Sequence, residues 1–195
     1  MKIKITTGLA AILLLGISCT KEQQSTSSFV SAQTQGDIAT LRTHRIGQHF
    51  AGGIIFYLDS TGQHGLIADT ADLGELPWWN GFYMRTGATG TNIGTGKANT
   101  HKIISKQGET GSYAALACAN SVRNGYSDWF LPSFDELIQL AAQQSVVGGF
   151  VPNRWYWSSS ESGNRQAWLV IVTNSFNKGP HKKSGTQFVR AIRSF

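Results

Sequence analysis

The stretch from Asn124 to Leu137, NGYSDWFLPSFDEL, constrains this chain more than any other because it spells out a complete loop-to-helix junction. Ser133 can cap a helix with its hydroxyl while Glu136, three residues on, reaches back to the Ser133 amide, which is a capping box. Pro132 precedes the cap, where its missing N–H costs nothing, and holds Leu131 extended, so the segment carrying Trp129 and Phe130 ends there. Past the cap, Phe134, Leu137, Ile138 and Ala141 recur at i, i+3, i+4 and i+7, with Asp135, Gln139 and Gln143 facing outward. The pattern predicts a core helix over Ser133 to Gln144.

The 195 residues, 41% hydrophobic and 14% charged, suit one globular domain with a sizeable core and exclude a disordered chain. Twenty-two glycines and six tryptophans point to tight turns between short strands and argue against long helical bundles.

The chain starts with Lys2 and Lys4, an apolar run from Leu9 to Leu15, and small residues ending at Ser18 before Cys19. The run is too short to span a bilayer. With a cysteine at the cleavage point it resembles a bacterial lipoprotein signal, in which that thiol is diacylated; Gly16 stands where the pattern usually has Leu. The expected organisation is a signal peptide over residues 1–18, a lipidated Cys19 with a Ser-, Thr- and Gln-rich tether over 19–44, and a globular domain over 45–195. That places the protein in the bacterial cell envelope, as an outer-membrane lipoprotein with its domain at the surface. Cys118 then has no disulfide partner, and as one of Ala115, Cys118, Ala119 and Val122 on a helical face it is expected in the core.

Within the domain, Ile54, Phe56 and Leu58 alternate with Ile55 and Tyr57, and DSTGQHG supplies a turn before Leu66-Ile67-Ala68, which predicts a hairpin with His64 at its tip. In LPWWNGFY, Trp78, Trp79 and Asn80 offer an aromatic and amide platform for a sugar, with a core tryptophan as the alternative reading. GATGTNIGTGKANT lacks the glycine and hydroxyl positions of a phosphate loop, so it reads as a loop before a short helix over His101 to Ser105 capped by Asn99. Arg154 to Ser160, Ala167 to Val172 and Gln187 to Phe195 are expected to form one antiparallel sheet.

Charge is uneven. From Arg154 onward there are seven Lys or Arg and one acid, Glu161, whereas residues 19–153 hold eight basic and ten acidic groups. An exported protein with a cationic C-terminal third suits an anionic partner such as an acidic polysaccharide or a membrane surface, or else merely carries a solvated basic face. Lys178, Lys182 and Lys183, in the Gly- and Pro-containing NKGPHKKSG, are expected to be exposed and mobile, with Arg190 as a further ligand candidate. Nucleic acid is not expected as a partner, and no residue pattern announces a metal, a cofactor or a catalytic residue.

Taken together, GQHFAGGIIFYLD, GQHGLIA, GTNIGTGKANT, YAALAC, NGYSDWFLPSFDEL, YWSSSE and VRAIRSF resemble, in order and spacing, the C-terminal domain family of Lcl, the collagen-like bacterial adhesins. The resemblance covers about Ile46 to Phe195. It implies a compact α+β, C-type-lectin-like domain with short twisted antiparallel sheets, two main helices and long loops. Asp128, Trp129, Pro132, Ser133, Glu136, Trp157, Glu161 and Arg193 fall in the shared motifs as scaffold, with Asp128 and Glu161 expected to satisfy buried amides or to pair with Arg190 or Arg193. Binding of sulfated glycosaminoglycans by the adhesin members extends here in kind to the basic C-terminal third, although no collagen-like repeat precedes the domain. Calcium-ligand triplets of C-type lectins are also missing. The leading reading is a lipid-anchored surface module for a glycan, an anionic polysaccharide above all. Its alternatives are an enzyme of the formylglycine-generating-enzyme-like or hydrolase type, and a ligand-free envelope component.

If Cys19 carries the lipid, Cys19→Ser should move the protein from the membrane pellet to the soluble fraction. Retention of the Ser variant in membranes after a high-salt wash would place the anchor elsewhere.

Overall fold

The computed structural model describes residues 44–173 and 177–195, within a compact unit that spans Thr43–Phe195. The signal segment, Cys19 and the tether up to residue 43 lie outside the described residues.

The fold is α+β. Strands β1 (His49–Phe50), β2 (Gly53–Leu58), β3 (Gly65–Ala68) and β9 (Ile192–Ser194) form an antiparallel sheet in that order. A second sheet has the order β4 (Glu75–Pro77), β8 (Thr186–Phe188), β5 (Arg154–Glu161), β6 (Gln166–Val172) and β7 (Lys178–Lys182). Its pairs are antiparallel except β5 with β8, which run parallel at Tyr156 and Phe188. The helices are α1 (Gly96–Gln107), α2 (Ala114–Ala119), α3 (Phe134–Ala142) and the single turn α4 (Gln144–Val147).

The hairpin of β2 and β3 forms as its alternation predicts, with one change of phase. Ile54 and Phe56 enter one core cluster and Ile55 the other, yet Leu58 packs with Ile55's cluster and Tyr57 with that of Phe56. The register shift between Ile55 and Tyr57 accounts for this, because one extra residue in a strand exchanges the faces beyond it. Both faces of the hairpin are covered, so both sets are apolar.

The capping box is present: the Ser133 hydroxyl accepts from the Glu136 amide and the Glu136 carboxylate accepts from the Ser133 amide at 2.7 Å. Glu136 also accepts from the Gly94 amide at 2.7 Å, and burial still outweighs these bonds, pushing its carboxyl above the usual range. The helix ends at Ala142, two residues before the expected Gln144, and α3 packs on β2, β5 and β6, bridging the two sheets.

Three expectations are corrected. The helix expected over His101 to Ser105 runs from Gly96 to Gln107, and Asn99 is buried inside it, its amide donating to Gly90 O at 2.6 Å instead of capping. Gly96 is required because a Cβ there would overlap the Glu136 carboxylate and the Ser133 amide, so this glycine serves close packing. Helix α2 ends at Ala119, which leaves Val122 exposed, while Cys118 is buried as expected and its thiol pKa is raised by desolvation.

The third correction concerns the chain end. Gln187 to Phe195 does not complete one sheet; Thr186–Phe188 stays with β5 and Ile192–Ser194 joins β3 in the other sheet. Between them Val189 and Ala191 are buried, and their carbonyls accept from the amides of Leu73 at 2.8 Å and Asp69 at 3.0 Å. The apolar residues of this segment satisfy two cores at once, so the chain crosses from one sheet to the other.

Among the described residues no helix is long and apolar enough to cross a membrane, and no group of three His, Cys, Asp or Glu side chains gathers as a metal site. Trp129 is 2% exposed with its indole N–H donating to Tyr126 O. Trp129→Ala should therefore cost about 3–5 kcal/mol and Ser133→Ala about 1 kcal/mol. Denaturant melts check the order, and equal or reversed costs would contradict a core role for Trp129.

Candidate functional site

Three of the residues expected to meet a ligand are instead core. Trp78 is fully buried and its indole N–H donates to Ser158 O at 2.8 Å. Arg190 is 1% exposed and paired with Asp72. Lys183, expected to be exposed and mobile, is fully buried: its ammonium donates to the Glu161 carboxylate and to Met84 O at 2.9 Å, and lies 4.5 Å from the Trp78 ring centroid. Burial pushes the Lys183 ammonium below the usual lysine range, and the bond to Glu161 opposes that shift. The segment around it is strand β7 followed by a turn, and Lys183 is the residue of NKGPHKKSG that the turn folds inward.

The lysine acts as a clamp. Glu161, at the end of β5, also accepts from the backbone amides of Thr86 at 3.1 Å and Gly87 at 3.1 Å. Residues 84–87 are thereby tied to β5 and to the turn after β7 by charge-assisted bonds. The other end of the loop is fixed by Asn80, whose backbone N–H donates to Gln107 Oε1 at 2.9 Å and whose side-chain amide donates to Gln107 O at 3.0 Å and Thr110 O at 2.8 Å. Asn80 thus anchors the loop with the amide expected to bind a ligand.

What the clamped loop presents outward is aromatic and cationic. Phe82 is 71% exposed, and the half-buried rings of Trp79, which also packs against the first core cluster, and Tyr83 lie with centroids 4.1 Å apart. The Tyr83 hydroxyl and the Ser184 hydroxyl are hydrogen-bonded at 2.9 Å, and the Arg165 guanidinium sits 5.1 Å from the Tyr83 ring centroid. Arg85 and Lys182 are exposed on the adjoining segments. The same turn borders a cavity of ≈ 200 Å³ lined by Trp155, Leu169, Gly179, Pro180, His181 and Gln187, with Gly185 lying against His181. Of the residues singled out in the sequence, only Trp79 and Lys182 belong to this surface. Lys178 is exposed elsewhere, its ammonium 5.7 Å from the Phe134 ring centroid. Tyr83 and Phe82 stood in the LPWWNGFY stretch, but nothing local marks Arg165 as their neighbour.

The motif residues sit as scaffold. Asp128 takes a two-pronged bond from Arg193, 2.7 Å to Nε and 3.0 Å to Nη2, and the Arg193 bond holds its carboxyl below the usual range. Pro132 O accepts from the Ser159 amide at 2.7 Å, and the Trp157 indole donates to Leu76 O at 2.9 Å. The cationic C-terminal third is therefore cross-paired: Lys183 with Glu161, Arg190 with Asp72 and Arg193 with Asp128. Arg154, Arg165, Lys178 and Lys182 remain exposed.

No family model and no curated protein matches this chain. Among solved structures it is similar to a fimbrial protein from Bacteroides ovatus ATCC 8483, with a TM-score of 0.49 and 14% identity, over 72% of this chain and 43% of that one.

Lys183→Glu would set two carboxylates together in the interior and should cost about 3–5 kcal/mol, whereas Lys178→Glu and Lys182→Glu should each change stability by about 1 kcal/mol or less. Thermal or urea melts of the three variants test this, and a Lys183→Glu variant as stable as the other two would refute the clamp.

Proposed function

We propose that this protein is a lipid-anchored cell-surface module that binds a glycan, an anionic polysaccharide above all, through the surface around Tyr83. The observation that carries the reading is the joint display of aromatic rings and cations. Trp79 and Tyr83 are held in ring contact, Phe82 is exposed beside them, and Arg165 lies over Tyr83 with Arg85 and Lys182 on adjoining segments. Flat rings offer apolar area to the C–H face of a sugar at small entropic cost. Guanidinium and ammonium groups at their border supply charge-assisted bonds to sulfate or carboxylate.

Rigidity supports the same reading. The loop is fixed at Asn80 by three hydrogen bonds and at residues 84–87 by the buried Lys183 and Glu161, so the rings are placed before a ligand arrives. The likeness of the motifs to the Lcl C-terminal domain family and the cysteine at position 19 support the surface location.

Retention on immobilised heparin tests the proposal. Arg165→Glu combined with Lys182→Glu should lower the salt needed for elution and weaken binding about tenfold or more, with the melting temperature nearly unchanged. Wild-type affinity should fall steeply with salt, since exposed charges are screened beyond about 8 Å at physiological ionic strength. Tyr83→Ala should weaken binding at every salt concentration. Unaltered elution of both variants would remove this surface as the site.

A further inference from the structure

Away from the Tyr83 surface, two adjoining cavities of ≈ 490 Å³ and ≈ 520 Å³ share Thr70 and Asn124 in their walls and form one open groove. The first runs along β1 and the start of β2, from His49 to Gly53; the second is walled by Leu73 and residues 121–124. The groove is built from segments that the Tyr83 surface does not use.

Arg123 is the only charged residue among those lining the groove. Its Nε is 3.1 Å from Oδ2 of Asp69, a fully buried carboxylate, while the Arg123 side chain is itself 37% exposed. Asp69 is fixed in turn: its amide donates to Ala191 O at 3.0 Å and its Oδ1 accepts from the Ala71 amide at 3.3 Å. The two charges are in ion contact without a hydrogen bond, since Oδ2 of Asp69 has no hydrogen-bond partner among the described residues, and no hydrogen bond from a terminal nitrogen of Arg123 occurs among them either. Planar donors in that arrangement match the two oxygens of a carboxylate. Because Asp69 already offsets part of the charge, a singly charged acceptor suits the site better than a dianion.

Two further features accompany it. Ser121, in the wall beside Arg123, is 8% exposed, and its hydroxyl is buried with no hydrogen-bond partner among the described residues. Such a buried group is uncommon and calls for a partner. Ala51 and Asn124, both in the walls, hold positive φ of 43° and 52°, a region that residues other than glycine seldom occupy. The Asn124 side-chain amide donates to Gly52 O at 2.6 Å and locks the two walls together. Strain kept in place by such a bond points to a site that needs its shape.

We propose that this groove binds the carboxylate of a small acidic ligand, held by the terminal nitrogens of Arg123. This is a second site, independent of the polysaccharide surface.

The test is titration of the full-length protein with sodium glucuronate, with glucose as its uncharged counterpart, following the amide NMR signals of Thr70 and of Ser121 to Asn124. Glucuronate should move these signals saturably and glucose should not. Arg123→Lys keeps a cation for Asp69 but lacks the planar fork, so it should weaken glucuronate binding about tenfold. Val122→Glu, at a residue 74% exposed in the groove wall, should weaken it through like-charge repulsion without altering the melting temperature. The variants Arg165→Glu with Lys182→Glu should leave glucuronate binding intact, which separates this site from the heparin-binding surface. Absence of saturable shifts at these residues, an equal response to glucose, or unchanged affinity in both groove variants would overturn the proposal.

Discussion

Arg190 is 1% exposed, and a guanidinium taken that far from water must find an anion and an acceptor for its N–H groups. Here the partners come from four directions. Nε donates to Asp72 at 2.6 Å, Nη1 to the carbonyls of Asp69 at 3.0 Å and Gly148 at 3.2 Å, and Nη2 to Gly149 O at 2.6 Å, while the guanidinium lies 4.1 Å from the Phe150 ring centroid. Asp72 takes a further bond from the Tyr156 hydroxyl at 2.8 Å, and that hydroxyl accepts from the Val151 amide at 2.8 Å. One side chain thereby gathers the turn after β3, the end of α4, the start of β5 and the crossing between the two sheets. Val189 and Ala191 can enter the first core and Ile192 the second only because the charge between them is satisfied.

The same physics governs Lys183 and Arg193. Each cation of the C-terminal third that turns inward meets an acid, and for the two arginines that acid comes from much earlier in the chain. Removing one partner of such a pair costs far more than the pair contributes, so these residues are fixed by folding. Surface charge is then a remainder: Arg154, Arg165, Lys178 and Lys182 are the cations left outside. The clamp and the display are linked, since the bonds that bury Lys183 also hold the loop that presents Phe82 and Tyr83.

Local chemistry was readable wherever neighbouring residues complete a structure by themselves. The Ser133 and Glu136 capping box closes within four residues, and its helix formed at the expected start. The hairpin of β2 and β3 followed from alternation and turn residues until a bulge, which leaves no mark in an apolar run, changed the phase at Tyr57. The expected pairing of Asp128 with an arginine was met by Arg193, because the largely buried guanidinium needs an anion and Asp128, itself 42% exposed, lies at its edge. The start of α1 was missed because Gly96 reads as a helix breaker until the Glu136 carboxylate is seen to fill the place of its side chain.

The α+β class was implied by the likeness of the motifs to the Lcl C-terminal domain family, whereas the sequence by itself determined the capped helix, the hairpin, the buried thiol and the presence of a basic C-terminal third. Those follow from short-range spacing and composition, which act within a few residues. Only the tertiary structure decided which cations are buried and which are free, because the acids that select Arg190 and Arg193 lie 118 and 65 residues away. It also decided that Trp78 is fully buried and Trp79 half-buried at the core's edge against Tyr83, through a bond from the Trp78 indole to a carbonyl 80 residues on. Burial of a charge or an indole N–H requires a partner, and the chain distance to that partner is set by the fold.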